Sequence, residues 1–209
     1  MILHLGLINV FGENEPNDKF GSRTTYGDFN GDGLDDLVIT APKKDVHGIE
    51  DAGMIWVLEG IQEGMGVLNI ATAFDLSMFS ENDFVSPDAQ WGEMVSAGDF
   101  NGDTFYDLAI SAPNSAIDGK EEVGLIVILY GSENGLDSEN FQVIDQSTRG
   151  IPDADEIGDN WGMSLASGDI NGDNISDLAI GSPGERYGFF SSAGAVTVIY
   201  GNETGLEPK

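Results

Sequence analysis

GDFNGDGLDDLVITAP, at residues 27–42, is the first of three copies of one motif in this chain. The second copy, at residues 98–113, reads GDFNGDTFYDLAISAP, and the third, at residues 168–183, reads GDINGDNISDLAIGSP. Each copy joins an acidic, glycine-containing loop to a short apolar run that ends in Ala-Pro or Ser-Pro. The copies recur about every 70 residues, and a fixed period of this kind indicates a repeat architecture.

The composition favours many short strands over helices. The chain has 209 residues, which is enough for one domain with a real core, and it contains 29 glycines and 40% hydrophobic residues. Its apolar runs are short and bounded by turn residues, and no long run has a helical period. We therefore expect an all-β fold.

The charge excludes several classes of partner. The formal net charge is −29, from 37 acids and 8 bases. Such a surface repels nucleic acid and anionic membranes and attracts cations, although much of the acidity serves solubility. No apolar stretch approaches the roughly 20 residues that span a bilayer, so we expect no membrane insertion. Cysteine is absent, which does not exclude secretion.

The repeats divide the chain into a first part, residues 1–19, and three units, residues 20–90, 91–160 and 161–209. Within a unit we expect one strand before the loop, one after it, one led by Ala-Gly or Val-Gly, and one in the connecting segment. Four short strands per unit predict a β-propeller blade. The predicted strands include residues 2–11, a strand leading to Gly27, and residues 37–40, 54–58, 69–76, 108–111, 125–130, 141–145 and 195–200.

The spacing of oxygen-bearing residues in the loop predicts a calcium site. Positions 1, 3, 5 and 9 are Asp, Asn, Asp and Asp in every copy, and position 7 offers a backbone carbonyl. Calcium takes 6–8 oxygen ligands, and alternate residues of a tight loop converge on one point. The predicted ligands are Asp28, Asn30, Asp32, Leu34 and Asp36; Asp99, Asn101, Asp103, Phe105 and Asp107; and Asp169, Asn171, Asp173, Ile175 and Asp177.

Other identities for the loop are less consistent with the sequence. Asp, Asn and Gly are also ordinary turn residues, but three copies with the same oxygens favour a metal. An EF-hand needs Glu at position 12, where this chain has Ile39, Ile110 and Ile180. Magnesium demands near-octahedral geometry, and an all-oxygen set does not favour zinc.

The residue at position 6 indicates how well each loop can adopt the backbone of a calcium site. It is Gly33 in the first loop, Thr104 in the second and Asn174 in the third. If this position has left-handed backbone angles, Gly adopts them freely, Asn with modest strain and β-branched Thr poorly. We therefore rank the loops first, third, second.

These elements together resemble the FG-GAP repeat. Phe20-Gly21 matches its FG element, with variants at Trp91-Gly92 and Trp161-Gly162, and Ala41-Pro42, Ala112-Pro113 and Ser182-Pro183 match its GAP end. The resemblance covers nearly the whole chain. It implies a β-propeller like the heads of integrin α-subunits, calcium in the loops, an extracellular or cell-surface location, and an adhesion or scaffold role.

The number of repeats raises a problem of closure, because propellers generally close with four to eight blades. The third unit is expected to lack a connecting strand, whereas residues 2–11 supply one that belongs to no preceding unit. We therefore expect the N-terminal strand, within residues 1–19, to complete a last blade. That blade belongs to a partner chain, as in a homodimer with a six-bladed ring, or to further repeats of the same protein.

Little in the sequence favours catalysis. The chain has two histidines, His4 and His47, outside the repeated positions, and the aromatic openers are expected to pack between blades. The acidic connectors, residues 80–90 and 153–160, are expected to be solvated loops or the rim of a binding face. We expect a calcium-binding, non-enzymatic module for protein interaction or adhesion. The alternatives are a non-catalytic propeller of a larger secreted hydrolase and a self-assembling scaffold.

Overall fold

The computed structural model of the chain describes residues 15–62, 71–79, 85–152 and 154–208. These ranges contain twelve β-strands, one short 3-10 helix and no α-helix. The strands are β1 Thr24–Gly27, β2 Asp36–Ala41, β3 Met54–Leu58, β4 Ala71–Asp75, β5 Val95–Gly98, β6 Asp107–Ala112, β7 Leu125–Leu129, β8 Phe141–Ile144, β9 Ser164–Gly168, β10 Asp177–Ser182, β11 Ala195–Asn202 and β12 Gly205–Glu207. The 3-10 helix, Leu76–Met78, directly follows β4.

The strands form three antiparallel sheets of four, each built from consecutive strands: β1 to β4, β5 to β8 and β9 to β12. The register repeats as well, since Gly27 pairs with Asp36, Gly98 with Asp107 and Gly168 with Asp177. This is the strand order of propeller blades, and it confirms the predicted all-β fold of three four-stranded units. Among the described residues, the three sheets do not close a ring.

The second sheet lies between the other two and is the most deeply buried. All residues of β6 and β7 are buried, because a neighbouring sheet covers each face. In the third sheet the outer face is open: Val196 and Val198 are 71% and 37% exposed, whereas their counterparts Ile126 and Ile128 are fully buried. The third sheet thus exposes apolar residues whose counterparts in the second sheet are buried.

Two of the aromatic openers join adjacent sheets. Trp91 and Trp161 are fully buried within the hydrophobic clusters that link sheets one to two and two to three. The backbone N–H of Trp91 donates to the Ala52 carbonyl at 3.0 Å, and the backbone N–H of Trp161 donates to the Val123 carbonyl at 2.9 Å. For these two residues the predicted packing between blades is confirmed. Phe20 instead meets Trp56 of its own sheet edge-on, with ring centroids 5.4 Å apart.

The prediction that the third unit lacks a connecting strand is wrong. β12 pairs with the end of β11, with Tyr200 opposite Glu207 and Asn202 opposite Gly205. This pairing differs from that of the second sheet, where β8 lies beside residues 126–129 of β7. Residues 196–199 of β11 therefore have no strand on their outer side in the part of the chain that the structure describes. The predicted strand at residues 2–11 lies outside the described residues.

Across those ranges, no helix has the length and apolar character needed to cross a lipid bilayer.

Candidate metal centre

Each acidic loop folds around the side chain of its first aspartate. In the first loop, the Asp28 carboxylate accepts hydrogen bonds from the backbone N–H groups of Asp32 at 3.1 Å and Gly33 at 2.9 Å. Asp99 likewise accepts the N–H groups of Gly102 and Thr104 in the second loop. In the third loop Asp169 accepts from three N–H groups, those of Gly172, Asp173 and Asn174. A carboxylate that accepts several loop N–H groups curls the backbone around itself, so the loop conformation is encoded locally.

The side chains at positions 3 and 5 continue this pattern. In the first loop, Asn30 Oδ1 accepts from Asp32 N–H at 3.0 Å, and Asp32 Oδ1 accepts from Leu34 N–H at 2.8 Å. The same bonds recur in the other two loops. Their partners are exposed backbone groups that water can also satisfy, so an ion can displace these bonds at small cost.

Position 6 has left-handed backbone angles in all three loops. The φ angles are +85° at Gly33, +77° at Thr104 and +71° at Asn174. The condition on which the ranking of the loops depends is therefore met. The second loop carries the largest strain, because a β-branched residue is least suited to this region.

The aspartate at position 9 is buried and has a structural role that the sequence analysis missed. Asp107 is fully buried, and its two oxygens accept the N–H groups of Phe100 at 2.7 Å and Gly131 at 2.9 Å. Asp36 and Asp177 make the equivalent pairs of bonds. This residue ties the loop to a glycine at the end of the third strand of its sheet: Gly60 and Gly131 come just after that strand, and Gly201 is its second-to-last residue.

Burial also changes the acidity of this position. The pKa of the Asp107 carboxyl is raised to about 7, chiefly because burial removes it from water. The N–H groups of Gly131 and Phe100 lower this pKa, and the charges of Asp103 and Asp99 raise it. Burial likewise raises the pKa of Asp36. A nearby cation would favour the ionised form of both carboxyls.

The three loops lie side by side in a chain of contacts. The N–H of Tyr106, in the second loop, donates to the carbonyl oxygen of Asp28 at 3.0 Å. The N–H of Ser176, in the third loop, donates to the carbonyl of Asp99 at 2.7 Å. The loops therefore share one edge of the assembly, as blade loops do on one face of a propeller.

The donor set fits calcium by its chemistry, since each loop offers three carboxylates and one amide oxygen. The carboxylates do not converge fully: in no loop, all of which lie within the described residues, do oxygens of three acidic side chains come within 4.8 Å of one another. Each carboxylate oxygen has two lone-pair sites, so the Asp107 oxygens that accept one N–H each retain capacity for an ion. The side chains at positions 3 and 5 are accessible to solvent.

A second acidic cluster was not predicted. Glu156, Asp159 and Glu185 bring carboxylate oxygens within 4.8 Å of one another, the one such group in the part of the chain that the structure describes. The expectation that residues 153–160 form a solvated loop is wrong for Asp155 and Asp159, which are buried. A comparison of equivalent positions across the repeats would have revealed this cluster.

Comparison with known proteins gives a consistent family. The model of the FG-GAP repeat matches residues 20–58, 91–129 and 161–199. The chain is 33% identical over 196 residues to integrin alpha-PS5 of Drosophila melanogaster, covering 92% of this chain and 18% of that protein. It is 29% identical over 204 residues to phosphatidylinositol-glycan-specific phospholipase D of Dictyostelium discoideum, covering 93% of this chain and 21% of that protein.

A third relative is phosphatidylinositol-glycan-specific phospholipase D of Bos taurus, 30% identical over 170 residues, which are 80% of this chain and 19% of that protein. The chain thus spans about a fifth of the length of these curated relatives. The three matched segments begin at Phe20, Trp91 and Trp161, take in all three acidic loops, and together cover more than half of the sequence. The chain therefore belongs to the FG-GAP repeat family.

Proposed function

We propose that this chain is a calcium-binding β-propeller module that serves protein–protein interaction or adhesion in an extracellular or cell-surface protein. The observation that supports calcium most strongly is the threefold repetition of one loop geometry. Each loop has the same oxygen-bearing residues on the same hydrogen-bonded backbone, and each has a buried aspartate at position 9. Turn formation alone does not require three carboxylates in each loop.

In this proposal each ion is held by the side chains at positions 1, 3, 5 and 9 and by the carbonyl at position 7. The ion offsets the repulsion among three carboxylates, which is about 1 kcal/mol per pair near 4 Å in water and larger when partly buried. Because only the folded loop gathers these oxygens, calcium stabilises the fold by mass action. Each site contributes about 2.7 kcal/mol at one hundred times its dissociation constant.

Thermal unfolding tests this stabilisation. We expect a higher melting temperature in millimolar calcium than in chelator, and we expect a variant with Asp32→Asn, Asp103→Asn and Asp173→Asn to lose most of the increase. Asp35→Asn is the matched control, because Asp35 is an exposed acid of the first loop outside the ligand positions. Equal melting temperatures in calcium and chelator would contradict calcium binding by the loops.

The adhesion role is supported by the integrin alpha relatives, and a second role by the phospholipase D relatives. In the second role, the chain is a non-catalytic propeller in a larger secreted hydrolase. The two roles differ in what accompanies the repeats. A catalytic domain encoded in the same gene would favour the hydrolase, and its absence there would favour adhesion.

The partner that we propose for the open face of the third sheet is a second copy of the chain, which would give six blades and a closed ring. The supporting observation is the exposure of Val196 and Val198 beside the stretch of β11 that has no outer strand among the described residues. A face of this kind is usually covered, because exposed apolar strand edges promote association.

Sedimentation equilibrium tests this pairing. We expect the mass of a dimer for the wild-type chain and the mass of a monomer for Val196→Asp. Asn134→Asp is a suitable control, because Asn134 is exposed and follows the third strand of the middle sheet, which is neither of the end sheets that a ring would bring together. A compact, stable wild-type monomer would rule out the homodimer and leave further repeats of the same protein as the completing element.

A further inference from the structure

The acidic cluster of Glu156, Asp159 and Glu185 lies apart from the three loops, between the connector that precedes β9 and the turn after β10. Asp159 is 1% exposed and Glu185 is 4% exposed, so two of the three carboxylates are removed from water. One oxygen from each residue lies within 4.8 Å of the others. Buried carboxylates this close repel one another strongly unless a cation is present.

The first repeat shows what occupies the equivalent place. There the acids are Glu15 and Asp18, and the ammonium of Lys44 lies 3.3 Å from Asp18 Oδ2 and 3.8 Å from Glu15 Oε2. Lys44 and Glu185 correspond, because each stands two residues after the proline of its repeated motif. Where the first repeat has a buried cationic side chain, the third repeat has another acid.

The acidic turn itself has the same geometry in both repeats. Glu15 N–H donates to Asp18 Oδ2 at 3.0 Å, and Glu156 N–H donates to Asp159 Oδ2 at 2.9 Å. The backbone N–H of the second acid returns to the carbonyl of the first in each case, at 3.5 Å and 3.4 Å. The two sites therefore differ in the charge of one buried side chain and not in backbone conformation.

The second repeat has the same turn with neutral residues at the positions equivalent to the three acids. Its equivalent residues are Ser86, Ala89 and Ser115, and the preceding sheet contributes Leu76, which is buried after β4. The residue that corresponds to Leu76 in the next sheet is Gln146, since each follows the aspartate just after the fourth strand's apolar run. From the second repeat to the third, three neutral residues are thus replaced by acids and one leucine by glutamine.

Gln146 provides an independent sign of a ligand. It is 2% exposed, and its Nε2 donates to Glu185 Oε2 at 3.0 Å. Its buried Oε1 has no hydrogen-bond partner among the described residues. A buried amide oxygen without a partner is costly, and rotation of the amide by half a turn would direct that oxygen towards the carboxylates.

We propose that Glu156, Asp159, Glu185 and the amide oxygen of Gln146 bind a divalent cation, calcium, at the place that the Lys44 ammonium takes in the first repeat. The set consists only of oxygens and carries three negative charges, which suits a hard cation. Its members come from the end of the second sheet, the connector and the third sheet. The ion therefore joins these two sheets, independently of the loops and of the proposed interaction role.

The Glu185→Lys variant tests this site by copying the first repeat. Equilibrium dialysis of the chelator-stripped chain against radioactive calcium should give one ion fewer per chain than the wild type. In chelator, the melting temperature of the variant should rise by about 2–4 °C, because the new ammonium neutralises the acids without metal. Glu139→Lys makes the same charge change at an exposed acid outside the cluster, and its ion count should not change.

A second variant avoids any risk to folding. Glu156 is exposed, so Glu156→Gln should fold normally and weaken calcium binding at this site by at least tenfold. The variant with Asn at positions 32, 103 and 173 should keep one ion, which separates failure of the loops from failure of the cluster. An ion count unchanged by both Glu185→Lys and Glu156→Gln, or a Glu185→Lys chain that melts lower than wild type in chelator, would overturn the proposal.

Discussion

The carboxylate of Asp107 accepts the backbone N–H of Gly131 at 2.9 Å, across 24 residues of chain. The same bond joins Asp36 to Gly60 and Asp177 to Gly201. A residue chosen from the sequence as a metal ligand is thus also a fixed point between the loop and the third strand of its sheet. This double role separates position 9 from position 5, whose side chain is exposed.

The two positions should differ in their effect on stability without metal. Asp107→Ala leaves two buried N–H groups without acceptors, and we expect it to lower the free energy of unfolding in chelator by about 2–4 kcal/mol. Asp103→Ala removes an acceptor in an exposed loop, and we expect a loss below about 1 kcal/mol. Urea unfolding in chelator measures both values. Equal losses would contradict the structural role of position 9.

The raised pKa of Asp107 makes stability depend on pH. The folded pKa of about 7 exceeds the ordinary value of 3.8, so the folded state binds more protons than the unfolded state between these values. The free energy of unfolding in chelator should therefore fall as pH rises from about 4 to about 7, by up to about 1.4 kcal/mol per pH unit from this group.

Asp107→Asn isolates this contribution, because the variant keeps every other acid. We expect a smaller decrease with rising pH for the variant than for the wild type. Calcium should also reduce the decrease, since a bound ion favours the ionised carboxyl. Identical pH profiles of the two chains in chelator would show that Asp107 does not titrate in this window.

The strain at position 6 of the second loop can be relieved. Thr104 has a φ of +77°, and we expect Thr104→Gly to raise the free energy of unfolding by about 0.5–1 kcal/mol and to tighten calcium binding by that loop. The reciprocal change Gly33→Thr should cost about 1–2 kcal/mol. No atom lies within 4 Å of a Cβ at Gly33, so this cost comes from the backbone alone. A neutral or destabilising Thr104→Gly would contradict the ranking of the loops.

The close approach between the second and third sheets predicts a large effect at Gly124. A Cβ there would lie 2.2 Å from the Trp161 carbonyl oxygen, and φ is +93°. We expect Gly124→Ala to lower the free energy of unfolding by more than about 3 kcal/mol, because the backbone of the neighbouring sheet must move.

Gly119→Ala is the matched control for this prediction. Gly119 also has a positive φ, of +76°, but no atom lies within 4 Å of its Cβ position. We expect its cost to stay near 1 kcal/mol, from the backbone conformation alone. Urea unfolding of both variants measures the difference, and similar costs would show that the inter-sheet contact is not tight.

Much of the fold could be predicted because the information is local and repeated. Short apolar runs between turn residues marked the strands, and β3 was predicted with the bounds that the structure shows, Met54–Leu58. The Asp, Asn and Gly residues of the motif marked a tight loop, and Gly33 and Asn174 pointed to left-handed backbone angles at position 6. Because the motif occurs three times, each of these local patterns could be compared in three copies.

The remaining features depend on contacts between distant residues. β12 has three residues and no alternating pattern, and only its hairpin with Tyr200–Asn202 defines it as a strand. The burial of Asp159 depends on the sheet that packs beside the connector, so an acidic segment looked like a solvated loop. The acceptor role of Asp107 requires a glycine 24 residues further on. A short stretch of sequence around β12, Asp159 or Asp107 does not identify the distant residues that each of them contacts.

Counting the calcium ions bound by the loops tests the central proposal most directly. Equilibrium dialysis of the 209-residue chain should use free calcium up to several millimolar, since extracellular modules bind with dissociation constants on the order of 10⁻⁴–10⁻³ M. We predict that the variant with Asp32→Asn, Asp103→Asn and Asp173→Asn binds three fewer ions per chain than the wild type, whereas Asp35→Asn binds the same number. Equal counts for the wild type and the triple variant would contradict the account.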